Sequence, residues 1–344
     1  MKNKYYSFVI VVLLLALFTV SLFSTPRDKS EANTESENQK WSQKTKLTQA
    51  QSSDISSTER KPVLTDSPQI KEPELSYTLT NIMALTPPNE YSAPKWSPDG
   101  NKILFTTIGF TGLYIINVNE KNEIITLNTL PGAGYNAEWS EDGKDVFYRH
   151  KTTHADYTSS IEVKSIHILD GEIKNQPRID PNGIASNLSA ADRSAPIVYT
   201  NTKTLLIEAQ TLDKSKRWIV TNNPGQYYQA ILSPDKTKVL VHRDGEMFVY
   251  AIDGSGLISS LGRGIATSWS SDSKQVLFFI GEDDGHKKTG SDLYLCNSDG
   301  SGRWRLTNTP NDFEMFPSWS PDNKKIAFSD AKTGMIYTAN VVKN

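Results

Sequence analysis

One phrase, written five times with small changes, constrains this chain more than anything else in it. It reads WSPDGNKILF from Trp96, WSEDGKDVFY from Trp139, LSPDKTKVLV from Leu232, WSSDSKQVLF from Trp269 and WSPDNKKIAF from Trp319. Each copy opens on a large apolar residue, passes through Ser and Asp, and ends in an apolar run. Asp and Gly supply tight-turn geometry, and aromatic and β-branched residues fit a pleated surface, so the phrase spells strand, turn, strand. Recurrence at a steady interval marks a repeat architecture, and that settles fold class ahead of any local argument.

The spacing sets the number of repeats. Trp96 to Trp139 is 43 residues, Leu232 to Trp269 is 37, and Trp269 to Trp319 is 50. The 93 residues from Trp139 to Leu232 hold about two periods, so a degenerate copy is expected between them. NLSAADRSAPIVY fits, with Leu188 in place of Trp, 189–192 as the turn and Ile197–Tyr199 as the second strand. Six repeats of roughly 45 residues match four-stranded propeller blades. The outer half of each blade shows as Asp-Gly between apolar runs, as in ILDGEI at Ile168, AIDGSGLI at Ala251 and CNSDGSGRWRL at Cys296.

Ring closure is legible too. The fifth repeat leaves through RWRLTNTP, and NIMALTPP from Asn81 carries the same Leu-Thr ending ahead of the first repeat. The sixth repeat has three strands, ending around Ile336–Val342. The expectation is an all-β, six-bladed β-propeller over 79–344, its last blade completed by an N-terminal strand near 80–86 that removes two open sheet edges.

The stretch from Asp299 to Phe328, DGSGRWRLTNTPNDFEMFPSWSPDNKKIAF, resembles the repeat of TolB-like six-bladed propellers, including Pro317 two residues before Trp319. The likeness covers about 79–344. It implies a fold, and much less a function, because such repeats serve binding proteins, regulatory domains of peptidases and some polysaccharide lyases. One departure matters: a polar stretch precedes the propeller where the family's namesake carries an α/β domain, so partners that depend on that domain do not transfer.

Ahead of the propeller, residues 8–23 (FVIVVLLLALFTVSLF) form an uncharged apolar run preceded by Lys2 and Lys4. The run is long for a signal-peptide core and slightly short of a ~20-residue span. Residues 1–24 are therefore read as an uncleaved membrane anchor or a cleaved signal, with a buried hydrophobic element as a third reading. The lysines orient the rest of the chain outside the cytoplasm, giving an extracytoplasmic, envelope or periplasmic location. Residues 25–78, rich in Ser, Thr, Gln, Glu and Lys, cannot bury enough apolar surface to fold and read as a disordered tether. An alternative makes part of it, near Trp41, a segment that folds on a partner.

The chemistry-bearing residues are few. Cys296 is the single cysteine, which excludes an intramolecular disulfide and suits a small core residue. His150 and His154 sit beside Asp156 in a loop without a nameable third metal ligand. His242 follows a strand, and His286 lies in GEDDGHKKTG, which lacks the ligand series of a calcium loop. No G-x-S-x-G elbow occurs. The expectation is no catalytic residue, no metal and no cofactor. Net charge is −2 without a basic stripe, which argues against nucleic acid as partner.

A surface remains. In a propeller, the segment leading into each innermost strand lies at one mouth of the central channel. Counting back from each anchor brings Asn89, Glu90 and Tyr91, then Tyr135 and Asn136, then 226–229, then 312–315 to that mouth. The candidate binding residues are Tyr91, Tyr135, Tyr227, Tyr228, Asp312 and Glu314, since tyrosine combines contact area with a polar tip. Inter-blade packing is the competing role for each ring. The functional expectation is a non-enzymatic, monomeric scaffold engaging a protein or peptide at the mouth. The alternative is a carbohydrate-active propeller that binds or cleaves a glycan.

Overall fold

The computed structural model describes residues 76–120, 123–179, 181 and 196–344. The apolar segment, nearly all of the polar stretch, the anchor at Leu188 and the turn at 189–192 lie outside the described residues.

Strand β1 (Tyr77–Ala84) comes first and is used last. Blade 1 holds β2 (Tyr91–Trp96), β3 (Lys102–Thr107), β4 (Leu113–Asn117) and β5 (Ile124–Asn128). Blade 2 holds β6 (Glu138–Trp139), β7 (Asp145–Thr153), β8 (Ser159–His167) and β9 (Ile173–Asn175). The described strands of blade 3 are β10 (Pro196–Thr200), β11 (Ile207–Thr211) and β12 (Arg217–Ile219). Blade 4 holds β13 (Tyr228–Leu232), β14 (Lys238–Arg243), β15 (Glu246–Ala251) and β16 (Leu257–Arg263). Blade 5 holds β17 (Ile265–Trp269), β18 (Gln275–Asp283), β19 (Lys288–Asn297) and β20 (Arg303–Arg305). Blade 6 holds β21 (Glu314–Trp319), β22 (Lys325–Asp330) and β23 (Met335–Lys343). All pairs within blades are antiparallel, and the sixth sheet runs β1-β23-β22-β21, so the first strand closes the ring as the sequence predicts.

The Leu-Thr phrase has a physical role. Leu85 N–H donates to the Ile336 carbonyl, and Thr86 Oγ1 accepts the Ile336 N–H at 3.0 Å. Leu306 and Thr307 do the same to Leu293, and Val220 and Thr221 to Ile207. A threonine hydroxyl thus satisfies the third strand's donor where the outer strand leaves the sheet, so no buried amide is orphaned.

The repeated turns share one hydrogen-bond plan. Ser97, Ser140, Ser233, Ser270 and Ser320 each donate to the Asp two residues on, at 2.6–2.7 Å. Each also accepts the backbone N–H five residues on, at 2.9 Å. The serine hydroxyls hold Asp142 and Asp322 below the ordinary carboxylate range. One position in each turn is left-handed: Gly100, Gly143, Lys236, Ser273 and Asn323, with φ between 56° and 71°. Neighbouring turns are tied together as well, Asp235 N–H to Ser273 Oγ at 3.0 Å and Ser271 N–H to Asn323 Oδ1 at 2.8 Å.

The core lies between blades. Trp96, Trp139, Trp269 and Trp319 are all buried. Trp139 and Trp269 donate through Nε1 to the preceding blade's innermost strand, at Lys95 O and Ile231 O, both 3.2 Å. Cys296 is buried among apolar groups, and its thiol is pushed up to about 12, which makes it an inert core residue.

Candidate functional site

Alternation of strand direction gives the ring two faces. The first strand of blades 1, 2, 4, 5 and 6 ends in the Ser-x-Asp turn, so those turns share the turn face. The opposite face, the mouth, carries the segments leading into the innermost strands and the hairpins between second and third strands. Both described chain ends sit on the turn face, where Asn344 N–H donates to the Ser76 carbonyl at 2.9 Å.

Five of the six residues expected at the mouth divide by their distance from the anchor. Tyr91, Tyr227 and Glu314 lie five positions before their anchors and are buried, at 8%, 2% and 7% exposure. Tyr91 packs edge-on against Phe105 at 4.9 Å and Tyr114 at 5.8 Å. Tyr227 exchanges a hydrogen bond with the Tyr250 hydroxyl at 2.9 Å and accepts one from Arg243 Nη1 at 2.9 Å. These two rings are core, not contact surface. Tyr135 and Tyr228 lie four positions before their anchors and are half-buried. One residue of offset thus separates the rings packed in the inter-blade core from the half-buried ones. Simple parity from the buried anchors gives the reverse assignment, because a left-handed bulge three positions before each anchor adds one residue to the count.

Asp312 and Glu314 belong to a polar cluster between blades 5 and 6. Asp312 accepts from Lys332 Nζ at 2.6 Å. Burial raises the Glu314 carboxyl above its ordinary value, and its Oε2 is buried without a hydrogen-bond partner. Nearby Asp292, also buried, pairs with Arg305 and accepts from Thr307 Oγ1 at 3.3 Å and Thr309 N–H at 3.2 Å.

Tyr135 has company that the sequence did not reveal. Its ring meets Phe110 edge-on at 5.4 Å, with the Arg149 guanidinium 4.9 Å above it. Phe110 lies 6.5 Å from Phe316, and Phe316 lies 5.3 Å from Phe279. These contacts join blades 5, 6, 1 and 2 in an aromatic arc around one side of the mouth. On the other side, in blade 4, Tyr228 stacks on the buried His242 at 5.5 Å. Phe316 is held with φ of 53°, as are Ala93, Asn136 and Gln229 at the same repeat position, with φ of 52–55°. A bulge there shifts register in β2, β13 and β21. Pro94 and Pro317 follow it without loss, because the innermost edge needs no ladder donor.

Two hairpins stand out on the mouth face. The β7–β8 and β18–β19 strands run 9 to 10 residues each, against 5 to 6 in the corresponding strands of blades 1, 3 and 4. In a six-fold ring, blades 2 and 5 are opposite, so the hairpins flank the mouth as two arms. The blade 2 tip presents Tyr157, 92% exposed, beside an Asp156 that accepts the Thr158 N–H and hydroxyl.

His167 Nδ1 lies 3.0 Å from Asp170 Oδ1. His154 Nε2 lies 3.0 Å from Ser160 Oγ, and Asp284 accepts the backbone N–H groups of His286 and Lys287. Buried His242 accepts the Ala266 N–H through Nε2 at 2.9 Å, linking blades 4 and 5. At the turn-face end of the channel, a cavity of about 290 Å³ contains the Lys95–Glu138 ion pair at 2.5 Å.

No protein-family model matches the chain, and no curated protein matches it. Solved structures do. TolB from Acinetobacter baumannii aligns at 12% identity and a TM-score of 0.47, over 73% of this chain and 63% of that one, less than two thirds of its length. A putative TolB from Agrobacterium tumefaciens aligns at 16% identity and a TM-score of 0.49, over 79% of this chain and 99% of that one. The Cps50 (Swd1) propeller domain of Myceliophteria thermophila aligns at 10% identity and a TM-score of 0.53, over 77% of this chain and all of that one. At such identities a likeness speaks for fold alone. The chain is a six-bladed β-propeller whose repeats resemble those of the TolB-like propellers.

Proposed function

We propose that this propeller is a non-enzymatic binding scaffold that engages a protein or peptide at the mouth. The observation that carries this reading is the half-buried pair Phe316 and Tyr135, backed by the buried rings of Phe279 and Phe110 and lying between two opposed arms on the face away from both chain ends. Large rings held by rigid strands make effective anchors at interfaces, because little side-chain entropy is lost on binding.

The location we propose is extracytoplasmic, with the propeller carried by residues 1–78 on an anchor or released after signal cleavage. Lys2 and Lys4 ahead of an apolar run support that orientation. Among the described residues, no helix is long and apolar enough to cross a membrane. A chain that joins the ring on the turn face leaves the mouth clear for a partner.

Affinity capture from an envelope extract, followed by binding measurements with the captured partner, tests the reading. Phe316→Ala or Tyr135→Ala should weaken binding by about thirtyfold, as expected for a central aromatic. Asp253→Ala, in a turn-face hairpin, should leave it unchanged. Partner binding indifferent to both aromatic variants, with both folded, refutes the mouth as the site.

A further inference from the structure

The seam that closes the ring carries a second feature, on the face away from the mouth. Between blades 5 and 6 a groove of about 360 Å³ is lined by the rings of Tyr77 and Trp304 and by Asp272, Gln275, Asn297, Lys274 and Lys343. That volume sits at the low end of ligand sites, which run roughly 300–1,000 Å³.

The lining is built rather than incidental. The Tyr77 and Trp304 rings meet edge to face at 4.8 Å and 63°. The Trp304 ring lies against Gly302, whose φ is +64°; a Cβ there would fall 2.3 Å from the indole. Only glycine lets the indole take this place. Gln275 Nε2 donates to the Tyr77 hydroxyl at 3.0 Å, which orients the phenol and leaves Gln275 Oε1 as an acceptor. Asp272 uses Oδ1 for the Ser270 hydroxyl and the Lys274 N–H, which leaves Oδ2. Asn297 donates from Nδ2 to Ser301 Oγ at 3.1 Å, which leaves its carbonyl oxygen.

Aromatic rings beside a carboxylate and two amide acceptors form the chemistry that recognises a sugar. The rings take the C–H faces of a pyranose, and the acceptors take its hydroxyls. Lys274 and Lys343 add two ammonium groups against one carboxylate, so the lining is net positive. We propose that this groove is a subsite for a pyranose bearing a carboxylate, a uronic acid, with Lys274 and Lys343 on the acid group and Asp272 and Gln275 on the ring hydroxyls. The site needs no contribution from the mouth, so the two readings stand or fall separately.

Saturation-transfer NMR on the full-length chain, with sodium D-glucuronate and with D-glucose as separate probes, tests it. Glucuronate should receive saturation with a Kd of about 1 mM, and glucose should bind about tenfold more weakly. The Lys274→Ala/Lys343→Ala double variant should lower glucuronate affinity about tenfold and remove the preference over glucose. Trp304→Leu risks loosening the seam, so Asp272→Asn provides the second test: it should reduce transfer to both sugars while a cooperative thermal transition is retained. The proposal is overturned by no transfer to glucuronate, by equal transfer to both sugars, or by transfer that survives the lysine and Asp272 variants.

Discussion

On the turn face, five serines make the same pair of bonds, five residues at one position are left-handed, and neighbouring turns are stitched together. On the mouth face the backbone repeats a left-handed bulge, but the side chains around it do not repeat. Blade 1 contributes Phe110, blade 2 an arm and Tyr135, blade 4 Tyr228 over His242, blade 5 a second arm, and blade 6 Phe316. Uniform residues close a ring; divergent residues distinguish one ring's partner from another's. The contrast therefore separates what the sequence spends on folding from what it leaves for recognition, and each face can be broken without the other.

The largest effect should come from the seam. Deleting 77–86 removes β1 and the Leu85–Thr86 cap, which exposes the edge of β23 and leaves blade 6 unsupported. Loss of a cooperative thermal transition is expected, whereas deleting 30–70 should leave the melting temperature nearly unchanged. Equal melting temperatures for the two deletions would contradict the closure account.

Next is acid. Burial lowers His242 from 6.5 to about 4, because its fully enclosed site withholds water from the charged ring, and the neutral ring accepts the Ala266 N–H. The unfolded chain therefore takes up that proton first. This contribution is complete above pH 6.5 and declines as pH falls toward 4, by up to about 3 kcal/mol. Urea titrations across that window should show the slope, and His242→Gln should flatten it. A variant with the wild-type slope would remove His242 from the explanation.

Smaller effects belong to the turns. Ser270→Ala strips the Gln275 N–H of its acceptor and Asp272 of its donor, at a cost of about 1–2 kcal/mol in chemical denaturation. Partner binding at the mouth should not change. Smallest, and of opposite sign, is Lys236→Gly. Lys236 has φ of 59° where Gly100 and Gly143 stand in other repeats, so glycine should add about 1 kcal/mol of stability. A destabilised variant would show that the lysine side chain contributes more than its backbone strain costs.

The same contrast decides what is legible in the sequence. The turns are readable because Ser-x-Asp-Gly makes its bonds within six residues, and the closing strand because Leu-Thr caps two outer strands alike. The mouth is only partly readable. Tyr135 and Tyr228 are half-buried, whereas Tyr91 and Tyr227 enter the core, because a bulge before each anchor reverses the faces that a simple count would assign. Phe110 and Phe316 are far apart in sequence and meet only because the ring brings blade 1 beside blade 6. Their contact depends on a bulge at Phe316, and no turn residue marks it. The pairing of Trp304 with Tyr77 is hidden for the same reason, since the seam exists only once the first strand pairs with the last.

The central claim is that recognition sits on the mouth face. A photo-crosslinking residue introduced singly at 135, 157 and 316 on the mouth, and at 169 and 253 on the turn face, tests it in intact cells. The account predicts one shared protein adduct from the mouth positions and none of that mass from the turn-face positions. The same adduct from 169 and 253, with 135, 157 and 316 silent in folded protein, would contradict it.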